Sequence, residues 1–219
     1  MRLILASSSP RRYELLRRAG VVFEVDPADV EESVGETDPI AAAVRLAELK
    51  ARTVAQRWRS EGNFILGADT IVAVEVDGAE RLLGKPAGPA EAREMLAELS
   101  GVAQRVVTGI AVVRGEDGAI FSDHELTRVH MRTIEPEEVE NYISSGEWQG
   151  KAGGYAIQET ADRFVTHLDG GFENVVGLPV ERTLALLRAA GADLSAWDRL
   201  SGGCGEGHGG VPSSPLPLE

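Results

Sequence analysis

Cysteine is almost missing from this chain of 219 residues: Cys204 stands alone, so no intrachain disulfide can form, and its glycine-rich surroundings make it a poor catalytic thiol. Basic residues are scarce as well. With 22 Lys and Arg against 35 Asp and Glu, the formal net charge is -13, which argues against a surface built for DNA or RNA polymers. A local cationic pocket for a small nucleotide remains open. No apolar run approaches the length of a membrane span, and the first residues lead into strand-like sequence instead of a signal peptide. The expected compartment is therefore the cytoplasm, with no membrane partner. His124, His130, His167 and His208 lack zinc-ligand spacing. No Gly-x-Ser-x-Gly elbow supports a hydrolase triad, and the absence of a Walker A sequence excludes a P-loop.

What is present alternates strand and helix signals, an α/β or mixed α+β pattern with no internal repeat. The pattern predicts one domain over residues 1–200. From Ser201 to Glu219 the Gly/Pro-rich composition has almost nothing to bury and reads as a disordered tail. The clearest helix runs from Pro39 to Arg59, capped by Asp38, with an apolar stripe through Ile40, Val44, Ala47, Ala51, Val54 and Trp58. Strands are expected over Phe64–Leu66 and Thr70–Val76, interrupted by Gly67-Ala68-Asp69. A helix over Pro89–Leu99 precedes a long hairpin of Arg105–Val113 and Ala119–Ile134. Helices follow over Pro136–Ser145 and Pro179–Ala190, and strands near Phe164 and Phe172 flank an Asp169-Gly170-Gly171 turn.

The segment Leu5-Ala6-Ser7-Ser8-Ser9-Pro10-Arg11-Arg12 carries the most chemistry. It reads as a buried strand running into a helix capped by Ser9, with Pro10 at the first helical position and two arginines in the first turn. Cations there oppose the helix dipole unless an anion compensates them, which suits a phosphate chain; the alternative is an ordinary capped helix with solvated arginines. Lys50 falls on the apolar stripe, where it either snorkels outward or reaches into a pocket. Asp69, between Gly67-Ala68 and the β-branched Thr70-Ile71-Val72, sits at a strand edge with space beside it, a place for a catalytic carboxylate or for a turn-making aspartate. Glu31-Glu32 is a candidate second oxygen donor for a hard cation. Glu32 plus Asp69 would suffice for Mg²⁺, which takes few carboxylates beside water and phosphate, although alone the glutamate pair reads as solvated surface. Gly84-Lys85-Pro86 holds an ammonium in a tight connection where it can meet a phosphate oxygen. In Lys151-Ala152-Gly153-Gly154-Tyr155-Ala156-Ile157-Gln158 the glutamine amide both donates and accepts, as a pyrimidine edge requires, or else is solvated on a turn.

Taken in order, these motifs, together with Leu46-Ala47-Glu48-Leu49-Lys50-Ala51 and Asn174-Val175-Val176-Gly177-Leu178-Pro179, resemble the Maf family of nucleoside triphosphate pyrophosphatases from Leu3 to about Leu187. The resemblance implies a mixed, twisted sheet flanked by helices, with two lobes around a central cleft, similar to inosine triphosphate pyrophosphatases. It implies a cut between the α- and β-phosphates dependent on Mg²⁺ or Mn²⁺, giving a nucleoside monophosphate and pyrophosphate. By the same resemblance Asp69 is the proton acceptor, and Lys50 and Lys85 join it in the catalytic set. Ser7, Arg11 and Arg12 hold substrate, and Glu32 assists Asp69 with the metal. Arg11, Thr70 and Gln158 set substrate choice, and the Thr70/Gln158 pair looks like the subgroup acting on dTTP and UTP, with modified pyrimidine nucleotides as further substrates. Broader nucleotide use is the alternative range. Phe172-Glu173 and the tail depart from the family pattern. The family also implies a homodimer and an association with cell-division arrest. The competing reading is a regulator of septum formation that binds a nucleotide or partner without turnover; retention of Asp69, Lys50 and Lys85 counts against it.

Overall fold

The computed structural model describes residues 1–31, 38–158 and 160–195. Glu32, Cys204, His208 and the tail expected over 201–219 lie outside the described residues.

A seven-stranded mixed sheet organises the chain. Its order is β2 (Glu24–Val25), β1 (Arg2–Leu5), β3 (Asn63–Val76), β5 (Ala103–Arg114), β6 (Ile120–Met131) and β7 (Val165–Asp169), with β4 (Ala79–Leu83) pairing with β3. β1 runs parallel to β2 and β3, and every other pairing is antiparallel. The helices are α1 (Pro10–Arg18), α2 (Pro39–Ala55), α3 (Pro89–Leu99), α4 (Pro136–Ser145), α5 (Phe172–Val176) and α6 (Val180–Ala189). Proline opens each of the first four, where its missing N–H costs nothing. Ser9 caps α1 by accepting from the Arg12 amide, and the Asp38 carboxylate caps α2 by accepting from the Ala41 amide at 2.9 Å. Among the described residues no helix is long and apolar enough to cross a membrane.

The architecture has two ends. Near the start of β3 the core joins Leu3, Leu5 and Leu66 to Leu16 of α1 and Leu187 of α6. Towards its end, Val72 and Val74 pack with Leu96 and Leu99 of α3, Tyr142 of α4 and Phe164. α2 covers the opposite face, through Ala47, Ala51 and Val54 against Ile4 and Ile65, and through Ala43 and Leu46 against Ile71 and Val107. That contact is unusually close. A Cβ on Gly67 would lie 2.2 Å from the Ala47 carbonyl oxygen, and one on Gly109 would lie 2.3 Å from the Ala43 carbonyl carbon.

Those glycines explain one correction. The break expected at Gly67-Ala68-Asp69 does not occur, because β3 continues through it, with Gly67 paired to Ala111 and Asp69 to Gly109 on β5. The small residues are there to admit α2, not to turn the chain. A second correction concerns α2, which ends at Ala55 instead of Arg59; Trp58 lies beyond the helix, its indole N–H donating to the Asp26 carboxylate at 2.7 Å. Thirdly, Phe172 opens the short helix α5 instead of a strand, with Gly171 before it and Gly177 after it at φ 125°. The expected hairpin and the helices α3, α4 and α6 are found to within a few residues.

Candidate active site

One edge of β3 is left open over part of its length. β1 pairs with Asn63–Leu66, β4 pairs with Val72–Val76, and on that side the residues between them have neither strand as a partner. A cavity of about 430 Å³ occupies this gap, lined by the β1–α1 connection, by Lys50, Asp69, Thr70 and Lys85, and by Gly150, Tyr155 to Gln158 and Val175 to Gly177. Asp69 therefore lies on a strand edge with room beside it, as its neighbours suggested.

Because side chains alternate along a strand, Asp69 and Thr70 serve opposite faces of the same edge. Asp69 shares its face with Gly67 and Ile71, towards α2. The close seating of α2 on Gly67 and Gly109 brings Lys50 above it, with Nζ 2.5 Å from Asp69 Oδ1. Both are almost fully enclosed, at 6% and 7% exposure, so Lys50 is turned inward and does not snorkel. Enclosure raises the worth of their attraction and the cost of separating them, since a buried charge without a partner is strongly unfavourable.

Thr70 faces the other way, towards Arg12. The Arg12 guanidinium donates to Ser7 Oγ at 3.2 Å, to Thr70 Oγ1 at 3.1 Å and to the Gly177 carbonyl at 2.8 Å. Its planar fork thus joins three separate stretches of chain, a task for which arginine is better shaped than lysine. Arg11 is half-buried beside it and donates from Nε to the Val176 carbonyl at 3.3 Å. Ser7 Oγ also accepts from the Ser9 amide at 3.2 Å, which shapes the loop into α1. The first turn of α1 contains no acidic residue to offset these arginines. Helix dipole, Arg11, Arg12, Lys50 and Lys85 therefore face the cavity with Asp69 as the single carboxylate among its described lining residues, an arrangement that attracts a polyanion.

Lys85 is exposed at the mouth, on the connection between β4 and α3. The amide of Gly153 donates to the Gly84 carbonyl at 3.0 Å, so the glycine-rich loop and the lysine turn are tied together. Gln158 is exposed, lines the cavity and also borders a smaller recess of about 210 Å³ formed with Pro10, Arg11, Glu14 and Arg18. Tyr155 is buried in the cavity wall, accepts from Gln104 Nε2 at 3.3 Å, and has its phenol pushed up to about 12 by desolvation. The structure thus brings Ser7, Arg11, Arg12, Lys50, Asp69, Thr70, Lys85 and Gln158 to one cavity, while Glu32 lies outside the described residues.

Residue-by-residue reading of the sequence missed a buried layer behind Thr70. Thr108 sits opposite it on β5, with the two hydroxyl oxygens 2.9 Å apart. Thr108 Oγ1 donates to the Asn174 carbonyl at 2.8 Å, and the Asn174 amide donates to the Val106 carbonyl and to Thr127 Oγ1 at 3.0 and 2.9 Å. Thr108, Asn174 and Thr127 are fully enclosed. The available signal was a threonine inside the apolar run Val106-Val107-Thr108-Gly109-Ile110-Ala111, because a polar group in a buried strand needs a partner.

The Maf-like protein family model matches residues 2–190. The dTTP/UTP pyrophosphatase of Koribacter versatilis (strain Ellin345) is 46% identical over 193 residues, covering 87% of this chain and 95% of its own. The protein of the same name from Anaeromyxobacter sp. (strain Fw109-5) is 45% identical over 215 residues, 96% of this chain and 98% of its own. The one from Geotalea uraniireducens (strain Rf4) is 45% identical over 192 residues, 87% of this chain and 95% of its own. A solved nucleoside-triphosphatase / dITP/XTP pyrophosphatase from Mycobacterium abscessus aligns with a TM-score of 0.38 and 16% identity, covering 67% of this chain and 95% of its own, too distant to establish a common fold. The family match extends over nearly every described residue, cavity included, and this chain belongs to the Maf-like protein family.

Proposed function

We propose that this chain is a nucleoside triphosphate pyrophosphatase that hydrolyses dTTP and UTP to the monophosphate and pyrophosphate, acting in the cytoplasm where those nucleotides are found. The observation that carries the reading is the enclosed Lys50–Asp69 pair at 2.5 Å, set in a cavity whose other charged lining residues, among those described, are Arg11, Arg12 and Lys85. Relatives that share more than two fifths of their sequence with it are named for that activity.

Phosphoryl chemistry asks for positioning and for stabilisation of oxygen charge. Arg12, held in place by Ser7, Thr70 and Gly177, and Arg11 present guanidinium groups beside the α1 N-terminus, where the triphosphate binds. Lys85 approaches from the mouth. Lys50 anchors one oxygen of Asp69, leaving that carboxylate oriented to take a proton from the attacking water. The leaving group is pyrophosphate, whose charge Lys85 and Lys50 offset.

Among the described residues no group of three His, Cys, Asp or Glu is placed to hold a metal ion. A lone carboxylate in a phosphate site still fits Mg²⁺ or Mn²⁺, which completes its shell with water and substrate oxygens. Asp69 would hold it, with Glu32 as the second candidate from the family resemblance. When bound, such an ion offsets charge on the phosphate oxygens.

Pyrophosphate release from dTTP, UTP, CTP, GTP and 7-methyl-GTP, with Mg²⁺, with Mn²⁺ and after chelation, tests the reading beside Asp69→Asn. Turnover confined to dTTP and UTP, lost on chelation and in the variant, is the expected result. Turnover of every base overturns the substrate assignment. A folded protein inactive on all five overturns the enzyme assignment and favours a nucleotide-binding regulator.

A further inference from the structure

The hydroxyl of Thr70 is not free to choose its role. A threonine hydroxyl has one proton and two lone pairs. The Asn174 carbonyl is buried and accepts from Thr108 Oγ1 at 2.8 Å, so the Thr108 proton is committed to it; turning that proton elsewhere would strand an enclosed carbonyl. With its proton spent, Thr108 can only accept across the 2.9 Å separating it from Thr70, so Thr70 donates. Arg12 Nη2 donates to Thr70 Oγ1 at 3.1 Å and fills one of its lone pairs, since a guanidinium has nothing to accept with. One lone pair is left on Thr70, in the cavity that it lines. The direction of the whole chain, from Arg12 through Thr70 and Thr108 to Asn174, follows from the two ends that cannot reverse.

We propose that Thr108, acting through Thr70, is a positioning residue for base selection: it locks Thr70 as an acceptor only, so that the site takes a pyrimidine whose ring N3 carries a proton. This rests on the dTTP/UTP reading above. Uracil and thymine offer N3–H to that lone pair. Cytosine offers an N3 lone pair, and two acceptors would then face each other without a proton between them, the kind of mismatch that discriminates strongly in an enclosed site. A threonine free to rotate would donate to cytosine as readily as it accepts from uracil, and would discriminate little. The buried layer therefore supplies selectivity that Thr70 alone does not contain.

The test compares kcat/KM for UTP and CTP in wild type, Thr108→Val and Thr108→Ser. In Thr108→Val the fixed direction is lost, and the UTP-to-CTP ratio is expected to fall by about tenfold or more, chiefly through a lower KM for CTP. Thr108→Ser keeps the hydroxyl and should restore the ratio. A second measurement needs only the wild type: KM against pH for UTP and for 5-fluorouridine triphosphate, whose ring N–H is more acidic. An acceptor-only Thr70 loses its partner when N3 ionises, so KM for the fluorinated substrate should climb at lower pH than KM for UTP. Parallel KM profiles, or a Thr108→Val enzyme that loses both nucleotides equally and keeps the wild-type ratio, overturn the proposal while leaving the enzyme reading standing. A wild type that turns over no pyrimidine triphosphate overturns the functional reading, and this proposal with it.

Discussion

Lys50 on α2 and Asp69 on β3 form an enclosed ion pair, Nζ to Oδ1 2.5 Å, across the interface where helix and sheet approach most closely. The pair binds the open edge of β3 to its supporting helix, so its two members should respond differently to substitution. Lys50→Met leaves the Asp69 carboxylate buried without its cation, and the unfolding free energy is expected to drop by about 3 to 5 kcal/mol. Asp69→Asn keeps shape and an oxygen acceptor for Lys50. It should remain folded while kcat falls by roughly 10² to 10⁴ if the carboxylate takes the proton from water. Urea unfolding and pyrophosphate release on both variants check this, and an active Asp69→Asn enzyme would remove Asp69 from the chemistry.

Gly109 lies opposite Asp69 on β5, and its missing side chain sets how near α2 can come. An alanine there places a Cβ 2.3 Å from the Ala43 carbonyl carbon and 2.5 Å from the Val44 nitrogen, both main-chain atoms that cannot rotate aside. The helix must then move, at a cost of about 1 to 3 kcal/mol or more for an overpacked interface. The displacement also draws Lys50 from Asp69, so Gly109→Ala should lose stability and kcat together. Gly78→Ala, at the β3–β4 turn where nothing lies within 4 Å of the added carbon, separates backbone strain from this clash, because it should lose some stability and keep kcat.

How much of this was legible depended on which interaction held each residue. Ser9, Pro10, Asp38 and Pro39 act locally, through caps and fixed φ, and the helix starts that they mark were found where the residues stood. That Ser7 to Arg12, Asp69 and Lys85 share one cavity was legible from their neighbours, because a proline, small residues or a tight connection restricts each one. Gly67-Ala68 misled for a physical reason. Small residues in a strand look the same in sequence whether the chain turns or another backbone comes close, and only the position of α2, set by contacts distant in sequence, distinguishes them. Phe172 reads as strand in sequence because its apolar neighbours carry no period long enough to reveal a five-residue helix. Thr108 and Asn174 were illegible as partners, being joined across 66 residues by bonds that no local pattern records.

Tyr155 makes a prediction on the alkaline side. Burial pushes its phenol from 10.0 up to about 12, so as pH rises past 10 the unfolded chain loses this proton while the folded protein keeps it. The unfolded state then binds fewer protons, and stability falls with rising pH. The contribution is fully present below pH 10 and is lost progressively towards 12, roughly 2 to 3 kcal/mol in all at 1.36 kcal/mol per pH decade. Tyr155→Phe abolishes this loss. Urea midpoints of wild type and variant, compared at pH 8 and pH 11.5, should converge or cross at the higher value. A constant difference between them would mean that Tyr155 ionises no later in the folded protein than in the unfolded one.

Arg12→Lys isolates geometry from charge. The arginine reaches Ser7, Thr70 and the Gly177 carbonyl at once, from Nη1, Nη2 and Nε, and a single ammonium cannot meet all three at their observed separations of 3.2, 3.1 and 2.8 Å. Lysine keeps the positive charge, so any attraction of this position for phosphate is expected largely to survive. What it loses is the tie between the β1–α1 connection, β3 and the α5–α6 connection. Inorganic triphosphate should therefore bind Arg12→Lys nearly as well as wild type, whereas kcat/KM for dTTP falls by about 10² because the α-phosphate is no longer held in register with Asp69. Equal weakening of triphosphate and dTTP would assign Arg12 to charge alone. Thr70 also loses its guanidinium donor, so its second lone pair opens to the cavity while its proton stays on Thr108. Selectivity for UTP over CTP should then survive in Arg12→Lys even as the rate falls, the reverse of the pattern expected of Thr108→Val.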